Sequence, residues 1–133
     1  MIGKDKLFST FEKVVKSSRA DETEIVFIGT DNGLTRFANS TIHQNVNESN
    51  ATIYIRTVIG QKIGVSSTNS MSQNDLKEAI ANSFEIAKYQ KDNEHFPGLQ
   101  GPEDYPNIET YFEPTAKYSP DRKSTRLNSS HRL

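Results

Sequence analysis

Arg36, Asn39, His43 and Gln44 fall within the short stretch Leu34–Asn45, LTRFANSTIHQN, which also holds Leu34, Phe37, Ala38 and Ile42. No other stretch of the chain is as dense in hydrogen-bonding side chains. A guanidinium, two amides and an imidazole set on an extended backbone suit the binding of an extended peptide. The sheet edge supplies main-chain hydrogen bonds and the side chains fix the register. The competing reading is an exposed edge kept soluble by Arg36, Asn39 and Gln44, a common defence against aggregation. Those three are the candidate substrate-binding residues. His43, beside Ile42, reads as a packing residue.

Catalytic chemistry has no comparable support. The histidines are His43, His95 and His131, and no H-E-x-x-H pair occurs. Without cysteine, a zinc site would have to gather histidines and carboxylates from distant parts of the chain. No G-x-S-x-G elbow surrounds any serine, and the seven glycines form neither a P-loop nor G-x-G-x-x-G. Asp21, Glu22 and Glu24 read as a solvated turn. No catalytic residue and no metal ligand is assigned, and no cofactor is expected on this chain.

The elements around the polar stretch spell an α+β domain. Leu7, Phe8, Phe11, Val14 and Val15 recur at helical spacing, with Asp5 as the expected N-cap. Ile25–Ile28 is a short apolar run, long enough for a buried strand. Asp31-Asn32-Gly33 tolerates positive φ and is expected to turn the chain into a second strand over Leu34–Asn45. Phe37 and Ile42 are five apart, so within one strand they face opposite ways unless a bulge near Ala38–Ser40 shifts the register. Asn45–Asn50 reads as a connector. Ala51–Ile59 alternates, with Ile53, Ile55 and Ile59 on one face, and Gly60-Gln61 predicts a type II′ hairpin into Lys62–Ser67. Ser72, Asp75, Met71 and Leu76 stand where a capped and stapled helix would begin. Leu76, Ala79, Ile80, Phe84 and Ala87 form the apolar stripe of that helix, which runs to about Tyr89.

The expected architecture is therefore a helix, a four-stranded mainly antiparallel sheet, a helix, and an extended irregular segment packed through its aromatic rings. The domain spans residues 1–95 and the exit segment 96–120.

Residues 121–133 are set apart as a non-native tail. Asp121–His131, DRKSTRLNSSH, resembles an in-frame translation of a sequencing-library adapter, and it has no apolar period. Four of the sixteen basic residues and one of the seventeen acidic ones lie in this tail. The remainder holds twelve and sixteen, a net charge of −4 against −1 for the whole chain. No basic stripe is left to follow a phosphate backbone, which argues against a nucleic-acid partner. A mean hydropathy of −0.71 and the lack of any run of about 18 apolar residues argue against a membrane span. A soluble, cytoplasmic chain is the expectation.

LTRFANSTIHQN, followed by ATIYIRTVIGQKIGVSSTN and then DLKEAIANSFEIAK, resembles the N-terminal domain of the TldD/PmbA (TldE) family. FPGLQGPEDYP is similar to the segment by which that family leaves this domain, so the likeness covers roughly residues 7–120. The resemblance implies a metallopeptidase system in which TldD-like and PmbA-like subunits pair, as homo- or hetero-oligomers, around an extended peptide. It implies zinc on an H-E-x-x-x-H helix in the C-terminal domain of TldD-type subunits, a motif absent from this chain. The expected role is the substrate-enclosing domain of such a subunit. The alternatives are a non-catalytic PmbA/TldE-type partner and an unrelated small α+β binding module. If the tail is foreign, deleting residues 121–133 leaves the thermal midpoint unchanged within about 1–2 °C. A larger drop in a thermal melt would show that the tail is native and folded.

Overall fold

The computed structural model describes residues 3–39 and 41–117. In chain order these form α1 (Lys4–Val15), β1 (Glu22–Ala38), β2 (Thr41–Ile59), β3 (Lys62–Thr68), α2 (Gln73–Tyr89) and the single turn α3 (Glu113–Ala116). The tail assigned to residues 121–133 lies outside the described residues. By internal contacts the chain divides into two units, one of residues 1–30 and 50–101, the other of residues 31–49 and 102–133.

The fold is α+β as expected, but the sheet has three strands in the order β1-β2-β3, not four. Ile25–Ile28 and the first part of the strand expected at Leu34–Asn45, up to Ala38, lie on one long strand, β1, whereas Thr41–Asn45 and the polar connector Asn45–Asn50 lie on β2. Asp31-Asn32-Gly33 makes no turn. Asn39, with φ of 50°, is the only non-glycine at positive φ among the described residues. The chain reverses there, so LTRFANSTIHQN is the tip of a hairpin and no bulge is needed to separate Phe37 from Ile42. Tolerance of positive φ permits a turn without compelling one, and both strands are long enough to carry the polar residues in extended form.

In the first unit, β2 and β3 pair antiparallel, with Ile55 opposite Ser66, Thr57 opposite Gly64 and Ile59 opposite Lys62. Gly60 has φ of 59° and Gln61 is not at positive φ, which identifies the expected type II′ turn. Ile53 and Ile55 on the covered face meet Leu76, Ala79 and Ile80 of α2 and Val14 of α1, with Phe11, Ile25, Phe27 and Met71 packed around them. Ile25–Ile28 is half-buried, not fully buried: Ile25 and Phe27 reach the core, whereas Val26 and Ile28 are exposed.

The backbone of α2 lies directly on β3. A Cβ built on Gly64 would stand 1.9 Å from the Ser83 carbonyl oxygen and 2.5 Å from the Ala87 nitrogen. Ser66 next to it donates to the Ala79 carbonyl at 2.6 Å. The stripe expected on α2 is buried at Leu76, Ala79, Ile80 and Ala87, and Ser83 joins it by donating its hydroxyl to the Ile80 carbonyl at 2.9 Å. Phe84, half-buried, carries the Arg19 guanidinium 4.8 Å above its ring.

The two helix starts differ in quality. Gly3, not Asp5, is the N-cap of α1, and Asp5 lies in the first turn, where a carboxylate favours the positive end of the helix. On α2, Ser72 Oγ accepts from the Asp75 N–H at 3.1 Å, as expected. Asp is too short to return that bond to the Ser72 backbone. Instead the Ser72 N–H donates to Ser70 Oγ at 3.2 Å, and Ser70 Oγ donates to the Asp75 carboxylate.

Residues 91–99 are also tied into the first unit. The Asn93 N–H donates to the Gln61 carbonyl at 3.0 Å, and the Leu99 N–H to Glu22 Oε2 at 2.7 Å. Phe96 is half-buried, but Tyr105, Tyr111 and Phe112 are 82%, 66% and 65% exposed. The expected packing through rings therefore holds for Phe96 alone among the described aromatics beyond Gln90.

Gly64→Ala would force a methyl group into helix backbone that cannot swing aside. A loss of about 3 kcal/mol is expected, seen as a fall of about 10 °C or more in thermal melting. Gly101→Ala meets nothing within 4 Å and should stay within about 0.5 kcal/mol. The Ser70 and Ser72 hydroxyls hold the Asp75 carboxyl below its usual value of 3.8. Its folded pKa is depressed, so its contribution to stability is full above 3.8 and is lost as the pH falls through the folded value. Chemical denaturation of the Asp75→Asn variant should show a deficit against the parent chain at pH 6 that narrows at pH 2.

Candidate functional site

The polar stretch is built by the parts of β1 and β2 that lie in the second unit. β1 carries it up to Ala38, Asn39 reverses the chain and β2 resumes at Thr41. Strands joined by so short a link and hydrogen-bonded as neighbours run antiparallel. Asn39 suits the left-handed conformation because its short polar side chain tolerates it better than most. Thr41 Oγ1 reaches back to the Asn39 carbonyl at 3.4 Å, and His43 Nε2 lies 3.1 Å from the Ala38 carbonyl oxygen, to which it donates in the Nε2–H tautomer. His43 is exposed, so its part in the tip is this bond and not core packing.

Across the ribbon, Thr35 Oγ1 donates to Asn45 Oδ1 at 3.0 Å, and a Cβ on Gly33 would lie 3.3 Å from Asn47 Oδ1. Gly33, Thr35, Asn45 and Asn47 thus share one face. By strand alternation, Leu34, Arg36, Gln44 and Val46 belong to the other. Arg36 and Gln44 are exposed, and neither has a side-chain hydrogen bond or ion pair within the described residues. The structure therefore brings Arg36 and Gln44 to one face and leaves Asn39 in the turn, with a conformational duty of its own.

Within the same unit, Asp31, Asn32, Asn47, Glu48 and Thr115 line an open, polar depression of about 580 Å³. Its two carboxylates have no third ligand beside them. Among the described residues no group of three or more His, Cys, Asp or Glu side chains is placed to hold a metal ion.

The acids read as a solvated turn have structural work in the first unit. Asp21 Oδ2 accepts from the Gly60 N–H at 2.8 Å, Glu22 from Leu99, and Glu24 pairs with Arg56 at 2.6 Å. Each joins a different part of the fold to the start of β1. Local composition carried no sign of this, because the partners lie far along the chain.

Comparison with known proteins bears on the same segments. Residues 23–87 match the family model described as PmbA/TldA metallopeptidase domain 1. No curated protein matches. Among solved structures, TldE from Thermococcus kodakarensis is similar with a TM-score of 0.73 at 20% identity, over 95% of this chain and 29% of that one. A protein from Thermotoga maritima, described as a proposed modulator of a DNA gyrase, gives 0.74 at 17% identity over 94% and 28%. One from Bacteroides thetaiotaomicron, described likewise for DNA gyrase, gives 0.71 at 16% over 97% and 30%. At these identities the structures speak for the fold alone, and the chain spans about three-tenths of their length. The matched segment begins one residue into β1, crosses the whole hairpin and ends in the last turn of α2, so residues 23–87 are similar to the first domain of the PmbA/TldA metallopeptidase family.

Proposed function

We propose that the chain is the N-terminal, substrate-enclosing domain of a TldD/PmbA-type metallopeptidase subunit and that the tip of its hairpin contacts an extended peptide. The observation that carries this reading is the pairing of Arg36 and Gln44 on one exposed face of the matched segment, with no side-chain partner among the described residues. In this reading the subunit works in the cytoplasm and pairs with a TldD- or TldE-type subunit. No helix of the described residues is long and apolar enough to cross a membrane.

The described residues do not fit zinc. No ligand cluster exists among them, His95 is exposed, and His43 lies against the Ala38 carbonyl. This domain's share of the work is to bind and orient substrate, and any hydrolytic centre belongs to another domain. Whether that domain is of TldD or PmbA type is decided by sequencing the genomic locus beyond Pro120. An H-E-x-x-x-H codon run in frame assigns the TldD type, and a family frame without it assigns the non-catalytic partner.

The peptide contact is tested by Arg36→Ala, Gln44→Ala and Asn39→Ala, read by fluorescence anisotropy of a labelled unstructured decapeptide and by thermal melting. Gln44→Ala removes a hydrogen bond worth about 0.5–1.5 kcal/mol and Arg36→Ala one worth about 1.5–3 kcal/mol, so affinity falls several-fold or more. Both keep stability within about 0.5 kcal/mol. Asn39→Ala behaves differently: a left-handed residue without a local hydrogen-bonding side chain costs about 1–2 kcal/mol of stability. If Arg36→Ala and Gln44→Ala lose stability and keep affinity, the two residues are structural and the proposal fails.

A further inference from the structure

Asn32 is the only asparagine of the chain that is followed by glycine, at Gly33. That pair carries a reaction of its own. The Gly33 backbone nitrogen can attack the side-chain carbonyl carbon of Asn32, because glycine has no Cβ to hinder the approach. A new N–Cγ bond closes a five-membered imide, the nitrogen gives up its proton, and the side-chain amide leaves as ammonia. Water then opens the ring at one carbonyl or the other. The product is aspartate or, where the main chain now runs through Cγ, isoaspartate. One water is consumed and one ammonia released.

The structure decides when this can happen. Asn32 and Gly33 are exposed, so water and base reach them. They lie within β1, in extended backbone and not in a turn. Ring closure needs the Asn32 ψ far from the extended value of about +135°, where strand pairing holds it. Attack therefore waits for the ribbon to open locally. Little resists that opening: residues 31–34 of β1 and 41–50 of β2 are exposed, and a two-stranded ribbon with so few buried side chains lies at the low end of local stability. The glycine that makes the pair labile also fits the ribbon, since a Cβ there would stand 3.3 Å from Asn47 Oδ1.

The products disturb the same ribbon. Isoaspartate lengthens the main chain by one atom, which shifts the later side chains of β1 against β2 and breaks the match of Thr35 with Asn45. Either product adds a carboxylate beside Asp31 and Glu48 on the rim of one depression, where like charges repel.

We propose that Asn32 is a self-modifying site whose deamidation is gated by opening of the β1–β2 hairpin, so that aspartate and isoaspartate accumulate in chains whose hairpin is free to open. The inference stands apart from the peptide-contact reading. Its test is mass-spectrometric peptide mapping of the full 133-residue chain after incubation at pH 8 and 37 °C, native and in guanidinium chloride. Electron-transfer fragmentation tells isoaspartate from aspartate.

In denaturant Asn32 should convert ahead of every other asparagine, and Gly33→Ala should slow it at least about tenfold. In the native chain the conversion should be at least about fivefold slower than in denaturant. Asn39→Ala, which loosens the reversal between β1 and β2, should raise the native rate severalfold, while Asn69 and Asn82 of the first unit convert no faster than in the parent chain. Conversion of another asparagine ahead of Asn32 in denaturant overturns the site. Equal rates with and without denaturant, or a native rate that Asn39→Ala leaves unchanged, overturn the gating. An isolated isoaspartate form whose amide NMR spectrum keeps residues 31–49 in place overturns the effect on register.

Discussion

The close approach of α2 to Gly64 is the constraint on which the first unit depends. Helix backbone meets strand backbone there because the residues between them are small: Gly64 and Ser66 on β3, and Ala79, Ser83 and Ala87 on α2. That proximity seats Leu76 and Ile80 against Ile53 and Ile55, and it leaves room for Val14 of α1 in the same cluster. A larger side chain at position 64 would lift the helix and open the whole core. The hydroxyls of Ser66 and Ser83 bond to helix carbonyls, which lets small polar residues line a tight contact without leaving themselves unpaired.

The hairpin follows another logic. Where strands lie under α2, alternation buries Ile53 and Ile55 and exposes Tyr54. Residues 41–50 of β2 are exposed on both faces. Side chains there are free of packing duty, which is why polar types can accumulate without loss of the fold. The family match spans both kinds of structure, the helix-covered sheet and the polar ribbon.

How much of this was legible in the sequence depended on the range of the interactions. Gly60-Gln61, the Ser72 cap and the stripe from Leu76 to Ala87 are set by neighbours within a turn or two, and each was read correctly. The strand count is not legible because Asp31-Asn32-Gly33 has turn-forming residues whose conformation is settled by strand pairing, while the true reversal at Asn39 lies inside an otherwise strand-like run. Ser83 gives no sign of its burial because a hydroxyl residue counts as polar in any periodicity, although a helix carbonyl satisfies it. The roles of Asp21, Glu22 and Glu24 were invisible for a simpler reason, since their partners at Gly60, Leu99 and Arg56 have no local signature. At the candidate site, Arg36 and Gln44 could be picked by type, but their common face could not, because it follows from where the hairpin turns.

The bond between Glu22 and Leu99 spans 77 positions of the chain, and that has a consequence for how the protein is made. A ribosome adding about 5–20 residues per second needs about 4–15 s to pass from one partner to the other. Through that interval β1 has been synthesised but the segment that ties down its first residue has not. The nascent chain must therefore carry an unfastened strand start until nearly the whole domain has emerged.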